Sequence, residues 1–114
     1  MKLPQDGVLL RIFIGESDRY QRKPLYEAIV QKAKELDLAG ATVLRGIMGF
    51  GAASRVHTAR LLRMSEDMPL VIEIVDSEAY IQRLLPFLDE VIEDGMVTME
   101  KVRIVHYHAR RENR

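Results

Sequence analysis

There is no cysteine in the 114 residues, which rules out disulfides, thiolate metal sites and a cysteine nucleophile while leaving the compartment open. Net charge is missing too. Seventeen basic residues balance seventeen acidic ones, and a nucleic-acid binder without a basic footprint would be unusual, so nucleic acid is not expected as a partner. Aromatic residues are scarce, and residues 70–75 hold none. The stacking platform of an RNA-recognition sheet therefore has little to be built from beyond Phe13. No run approaches the ~20 apolar residues that span a bilayer. The opening stretch Met1-Lys2-Leu3-Pro4-Gln5-Asp6 does not have the charged-then-apolar form of a secretory signal, so a cytoplasmic protein is expected. The length suits one domain, residues 1–114, with a single core and a high ratio of surface to volume.

What is present is organised by apolar period and punctuation. Residues 7–14 are short, β-branched and aromatic, and Gly15-Glu16-Ser17-Asp18 closes them with turn chemistry. Pro24 suits a first helical turn, after which Leu25, Ile29, Ala33 and Leu36 recur at helical spacing and predict a helix over residues 24–37. Gly40 punctuates, and residues 41–45 read as a second strand. Residues 70–75 form a third. Ser77 then caps a helix striped by Ile81, Leu84, Leu85 and Leu88, with Pro86 expected to kink it and Gly95 to stop it. Residues 97–107 supply a last long strand, and the polar residues 110–114 are expected to fray.

The second and third strands are joined by roughly two dozen residues, far beyond the usual ~2–5 of a hairpin, and so long a connection in a small domain is usually functional or disordered. Its base carries Gly46, Gly49 and Gly51, with Phe50 between the last two. Glycine allows main-chain N–H groups to approach a ligand closely, and Arg45, Arg55, His57, Arg60 and Arg63 place donors for anionic oxygen around it. The candidate site is therefore the loop base, with Arg45 and Arg55 as neutralising cations. Residues 58–64 fit either a ribbon strand or a helical turn, and their period does not decide between them.

The order β-α-β-loop-β-α-β predicts an α+β, ferredoxin-like fold, in which both helices pack on one face of a four-stranded antiparallel sheet. Val8, Leu10, Ile12 and Ile14 would fill the covered face, while Leu9 and Phe13 point to the other. A large apolar patch left in water is seldom tolerated by a soluble monomer, so an oligomer that buries the open face is expected.

With these elements in place, six stretches resemble the domain of unknown function 190 family. They are Gly15-Glu16-Ser17-Asp18, Lys23-Pro24-Leu25-Tyr26-Glu27-Ala28-Ile29-Val30, Ala39-Gly40-Ala41-Thr42-Val43-Leu44-Arg45-Gly46, Gly49-Phe50-Gly51, Ser65-Glu66-Asp67-Met68-Pro69 and Val71-Ile72-Glu73-Ile74-Val75. That family is similar to the PII signal-transduction proteins. The resemblance implies a homotrimer that binds an adenine nucleotide or another small anionic effector in clefts between subunits. It also implies that residues 46–69 act as a T-loop toward a protein partner, with a membrane transporter or channel as the suggested target. Gly49-Phe50-Gly51 matches the base of the PII T-loop best. The second PII phosphate element, Thr-Gly-x-x-Gly-Asp-Gly-Lys, has no counterpart; residues 94–101, ending in Lys101, occupy its place, which favours a smaller adenylate over a triphosphate. The loop contains no tyrosine, so uridylylation-type control is not expected.

Other constellations are weaker. His106 and His108 share a strand face at metal-pair spacing, but two ligands are not a site, and no metal is expected. Asp89-Glu90 and Glu93-Asp94 belong to the polar face and end of the second helix. No serine, histidine and acid follow a nucleophile motif, so no catalytic residue is assigned and a non-enzymatic protein is expected. The alternative is a small ferredoxin-like enzyme acting on a phosphate ester or acyl phosphate. It would use Arg19, Arg22 and Lys23 before the first helix as an acylphosphatase-like cradle, which Pro24 weakens by removing an N–H.

Overall fold

A computed structural model describes residues 1–51, 67–111 and 113–114. The described elements are β1 Asp6–Gly15, β2 Arg19–Tyr20, β3 Lys23–Pro24, α1 Leu25–Glu35, β4 Thr42–Arg45, β5 Pro69–Asp76, α2 Glu78–Val91 and β6 Met96–Arg103. Arg55, His57, Arg60, Arg63 and the undecided stretch 58–64 lie outside the described residues.

Four strands form one antiparallel sheet in the order β4-β5-β1-β6, the ferredoxin-like arrangement. Ile12 stands opposite Ile72 on one side and Val97 on the other, so the period-2 alternation of each strand adds to a common face. Val8, Leu10, Ile12 and Ile14 of β1 are buried with Leu70, Ile72 and Ile74 of β5, beneath Leu25, Ile29 and Ala33 of α1 and Ile81, Leu84, Leu88 and Val91 of α2. Each large side chain in this layer contributes about 1.5–3 kcal/mol by leaving water. No described helix is long and apolar enough to cross a membrane.

The helix ends have local causes. Ser77 caps α2 by accepting from the Tyr80 N–H at 3.3 Å, as its position predicts. Pro86 lies on the exposed face of α2, and the helix continues past it to Val91. Helix α1 starts one residue later than expected, because Pro24 sits at the capping position with extended backbone and pairs in β3. It ends at Glu35, and just beyond it Asp37 adopts a left-handed conformation (φ 61°) while the Leu38 N–H returns to the Ala33 carbonyl at 3.0 Å.

Three expectations change, the first being the frayed tail: Arg114 is docked on Asp76, NH1 to Oδ2 at 2.6 Å and NH2 to Oδ1 at 2.7 Å. Strand β6 stops at Arg103, not Tyr107, so His106 and His108 are not on a strand; their rings stack obliquely at 4.1 Å. The connection before α1 is no open cradle: β2 and β3 form a small hairpin whose turn residues Gln21 and Arg22 both have positive φ. Within it Arg19 donates to the Arg22 carbonyl at 2.8 Å, and Lys23 reaches Gln31 at 2.8 Å.

The second sheet face is uncovered by either helix. Phe13, Leu44, Val75 and Met96 lie on it and are exposed. Edge strand β6 is open on both faces, since Val97 and Met99, on the helix side, remain 38% and 41% exposed.

Candidate functional site at the loop base

The end of β4 and the start of β5 fix the base of the long connection. Gly46 continues the pairing by donating its N–H to the Pro69 carbonyl at 2.7 Å. A Cβ at Gly46 would stand 2.9 Å from the Pro69 ring, so a side chain there requires Pro69 to shift. Arg45 turns to Glu16, with Nε donating to Oε1 at 3.0 Å, and Glu16 also accepts from the Met68 N–H at 3.4 Å. Glu16 thus ties the β1 turn to both ends of the loop.

Next to this anchor lies a cleft of about 320 Å³. Its walls come from separate parts of the chain: Phe13 to Gly15 at the end of β1, Ser17 and Asp18, Gly49 to Gly51 of the loop base, Asp67 to Val71, and Asp94 with Gly95 between α2 and β6. The glycines have distinct tasks. Gly49 has φ +156°, a backbone that side chains disfavour, and a Cβ at Gly95 would meet the Phe13 carbonyl oxygen at 2.7 Å.

Acidic groups brace the floor. Asp18 accepts from the Gly15 N–H at 2.9 Å and Asp67 from the Ser17 N–H at 3.1 Å, which shapes the turn after β1. Together with Asp94 they make the rim negative, and no lysine or arginine is among the described residues lining the cleft. Of the residues expected at the site, Gly49, Phe50 and Gly51 line it, while Gly46 and Arg45 form its anchor. Lys101 does not join them: it pairs with Val8, toward the opposite end of β1. Sequence reasoning did not assign Phe13, Asp18 or Asp67 to a site. Asp18 ends the stretch Gly15-Glu16-Ser17-Asp18 and Asp67 precedes β5, and only the pairing of β1 with β5 brings them together.

The other uncovered feature continues this geometry. Phe13 and Val71, which line the cleft, pair with each other across the open sheet face. The cleft therefore opens at the rim of that face.

This architecture is the PII-like fold. It is similar to the crystal structure of a putative PII-like signaling protein from Thermus thermophilus, with a TM-score of 0.59 and 21% identity over 88% of this chain and 90% of that one. It is also similar to the apo form of CPII from Thiomonas intermedia K12, a nitrogen regulatory PII-like protein, with a TM-score of 0.55 and 14% identity over 87% and 91% of the two chains. By sequence, residues 7–104 match the family described as an uncharacterized ACR, DUF190, and the chain belongs to that family. A UPF0166 protein of Aquifex aeolicus (strain VF5) is 37% identical over 100 residues, 86% of this chain and 92% of the relative. A UPF0166 protein of Methanocaldococcus jannaschii is 37% identical over 87 residues, 76% and 80% of the two.

Proposed function

We propose that the protein is a non-enzymatic PII-like regulator that binds a small anionic effector, an adenine nucleotide, in clefts between the subunits of a homotrimer. One observation carries the reading: Gly49 to Gly51 and Asp94-Gly95 meet in one cleft at the rim of an uncovered apolar sheet face. A second subunit laid on that face would roof the cleft. Main-chain N–H groups at residues 47–50 would hold phosphate oxygens, the Gly46 N–H being engaged by the Pro69 carbonyl.

Electrostatics adds a requirement. Three carboxylates and no described cation line the cleft of one subunit, so phosphate needs positive charge from elsewhere. Arg45, released from Glu16, is one source and Arg55 a second. Lys101, which within its own subunit is at the far end of β1, would contribute only if a partner subunit brought it to the cleft. The effector would then change the loop by binding one of its arrangements more tightly, and the loop would pass that preference to a protein partner, with a membrane transporter or channel as the target.

Calorimetry of the purified chain against AMP, ADP, ATP and cyclic AMP tests the reading. Binding of at least one nucleotide at micromolar to sub-millimolar affinity, about 5–8 kcal/mol, is expected. No binding at millimolar concentration overturns it.

A further inference from the structure

Asp76 closes β5 and is completely buried. A carboxylate in that position is costly unless its oxygens are satisfied. The protein body supplies two donors: the Ser77 N–H reaches Oδ1 at 2.6 Å and the Ala39 N–H reaches Oδ2 at 2.8 Å. Arg114 supplies the others as a planar fork, NH1 to Oδ2 at 2.6 Å and NH2 to Oδ1 at 2.7 Å. NH1 also donates to the Asp37 carbonyl at 3.3 Å, and Cζ lies 3.5 Å from the centre of the Tyr80 ring. The same ring has Arg83 at 4.8 Å.

This pair differs from the other ion pairs among the described residues. Only 9% of the Arg114 side chain is exposed and none of Asp76, whereas every side chain in those other pairs is at least 27% exposed. The hydrogen bond to Asp76 holds the guanidinium above its ordinary pKa, so it stays charged.

The pocket and its occupant belong to different parts of the chain. Asp76, Ser77, Tyr80, Asp37 and Ala39 are fixed by β5, α2 and the end of α1. Arg114 arrives on a segment with no helix or strand among its described residues after Arg103. That segment is held by the Ile104 N–H on the Gln5 carbonyl at 2.7 Å, by Met1, whose amino group donates to the Arg111 carbonyl and whose Sδ accepts from Arg111 Nε at 3.0 Å and from the Tyr107 hydroxyl at 3.6 Å, and by a surface contact of Arg111 with Asp37 at 3.7 Å. Apart from Arg114, the described residues of this strap are half-buried or exposed, and such a segment opens at lower cost than the core. When it lifts, what remains is a buried carboxylate with two open acceptor positions and an aromatic face beside it. Only a guanidinium matches both, since an ammonium has neither the fork nor the stacking plane.

We propose that the Asp76–Tyr80 pocket is a binding site for a small guanidinium compound of the arginine type, occupied in this structure by Arg114 as a tethered competitor. It lies at the end of β5 opposite the loop-base cleft, and the proposal does not depend on nucleotide binding. Tethering explains the gating: a side chain on a short segment is present at roughly millimolar effective concentration, so a free ligand must exceed that to displace it.

The test compares the full chain with its Arg114→Ala variant, titrated with N-acetyl-argininamide and, as the matched ammonium, N-acetyl-lysinamide. Calorimetry and thermal unfolding are the readouts. The arginine probe should bind Arg114→Ala at least tenfold more tightly than the parent chain and raise its melting temperature, while the lysine probe does neither. The double variant Arg114→Ala/Asp76→Asn should lose the response. Equal affinity for parent and variant, equal response to both probes, or a response that survives Asp76→Asn overturns the proposal. If Arg114→Ala is unfolded alone, the arginine probe must restore its folded signal and the lysine probe must not. Failure to restore it also counts against the site.

Discussion

Arg11 and Glu73 face each other across the β1–β5 pairing in the middle of the uncovered sheet face, Nε to Oε2 at 2.8 Å, and Arg11 turns a second nitrogen to Glu100 of β6 at 2.7 Å. Glu73 chiefly, with Glu100 assisting, holds the guanidinium above its ordinary pKa. One cation therefore bridges three strands along a polar row. On either side lie apolar residues: Leu9 with Val75, and Phe13 with Val71, Leu44 and Met96. A surface striped in this way presents hydrophobic area and a register mark together.

Light scattering coupled to size exclusion should therefore give a mass near three times the 13.1 kDa chain at micromolar concentration. Leu44 is 48% exposed, so Leu44→Arg costs the isolated subunit little, yet it should prevent assembly by placing an unpaired charge on the open sheet face that association would bury. A stable monomer of the unaltered chain would sink the trimer, and a dimer would weaken the PII-like reading of the cleft.

The polar row gives a second expectation. Arg11→Leu leaves Glu73 and Glu100 on one face without their shared cation, and two carboxylates that must be desolvated together oppose association. Assembly of this variant should weaken, and adding Glu73→Gln and Glu100→Gln, which removes both charges, should partly restore it. Sedimentation velocity of the single and triple variants distinguishes this from a general loss of fold, which the two further substitutions would not repair.

Gly95→Val should lower the denaturant midpoint by the equivalent of ~1–3 kcal/mol, because its Cβ would stand 2.7 Å from the Phe13 carbonyl oxygen and the backbone must move. Gly40→Ala is the control. Nothing lies within 4 Å of a Cβ there, and its effect should remain within about 0.5 kcal/mol. Equal effects at the two positions would contradict the close approach that shapes the cleft.

At the loop, Arg55→Ala should weaken nucleotide binding by on the order of 1–3 kcal/mol if Arg55 makes a charge-assisted contact with phosphate. Bound nucleotide should also slow tryptic cleavage at Arg55, Arg60 and Arg63 without altering cleavage at Lys32 or Lys34 in α1. If a nucleotide binds and the cleavage pattern does not change, the loop is not the responding element.

Much of the fold was legible in the chain, because it is written in local period. Alternating Val8, Leu10, Ile12 and Ile14 can bury one face only as a strand, the stripe from Ile81 to Leu88 only as a helix, and Ser77 begins that helix by a contact three residues long. The glycines at the loop base were visible for the same reason. What lay beyond local pattern was which distant groups would meet. Strand-like residues 104–107 have β6 as their only local guide, and the strand ends where its partner β1 begins, at Asp6 opposite Arg103. Nothing near Asp76 in sequence announces a guanidinium 38 residues away, and Asp94 joins Gly49 only because antiparallel pairing turns the α2–β6 connection back onto β1. Period and punctuation act over a few residues, and so the sequence by itself determined the elements and their order. The cleft, the bare sheet face and the buried Asp76–Arg114 pair depend on contacts between remote segments, which register and packing in three dimensions alone decide.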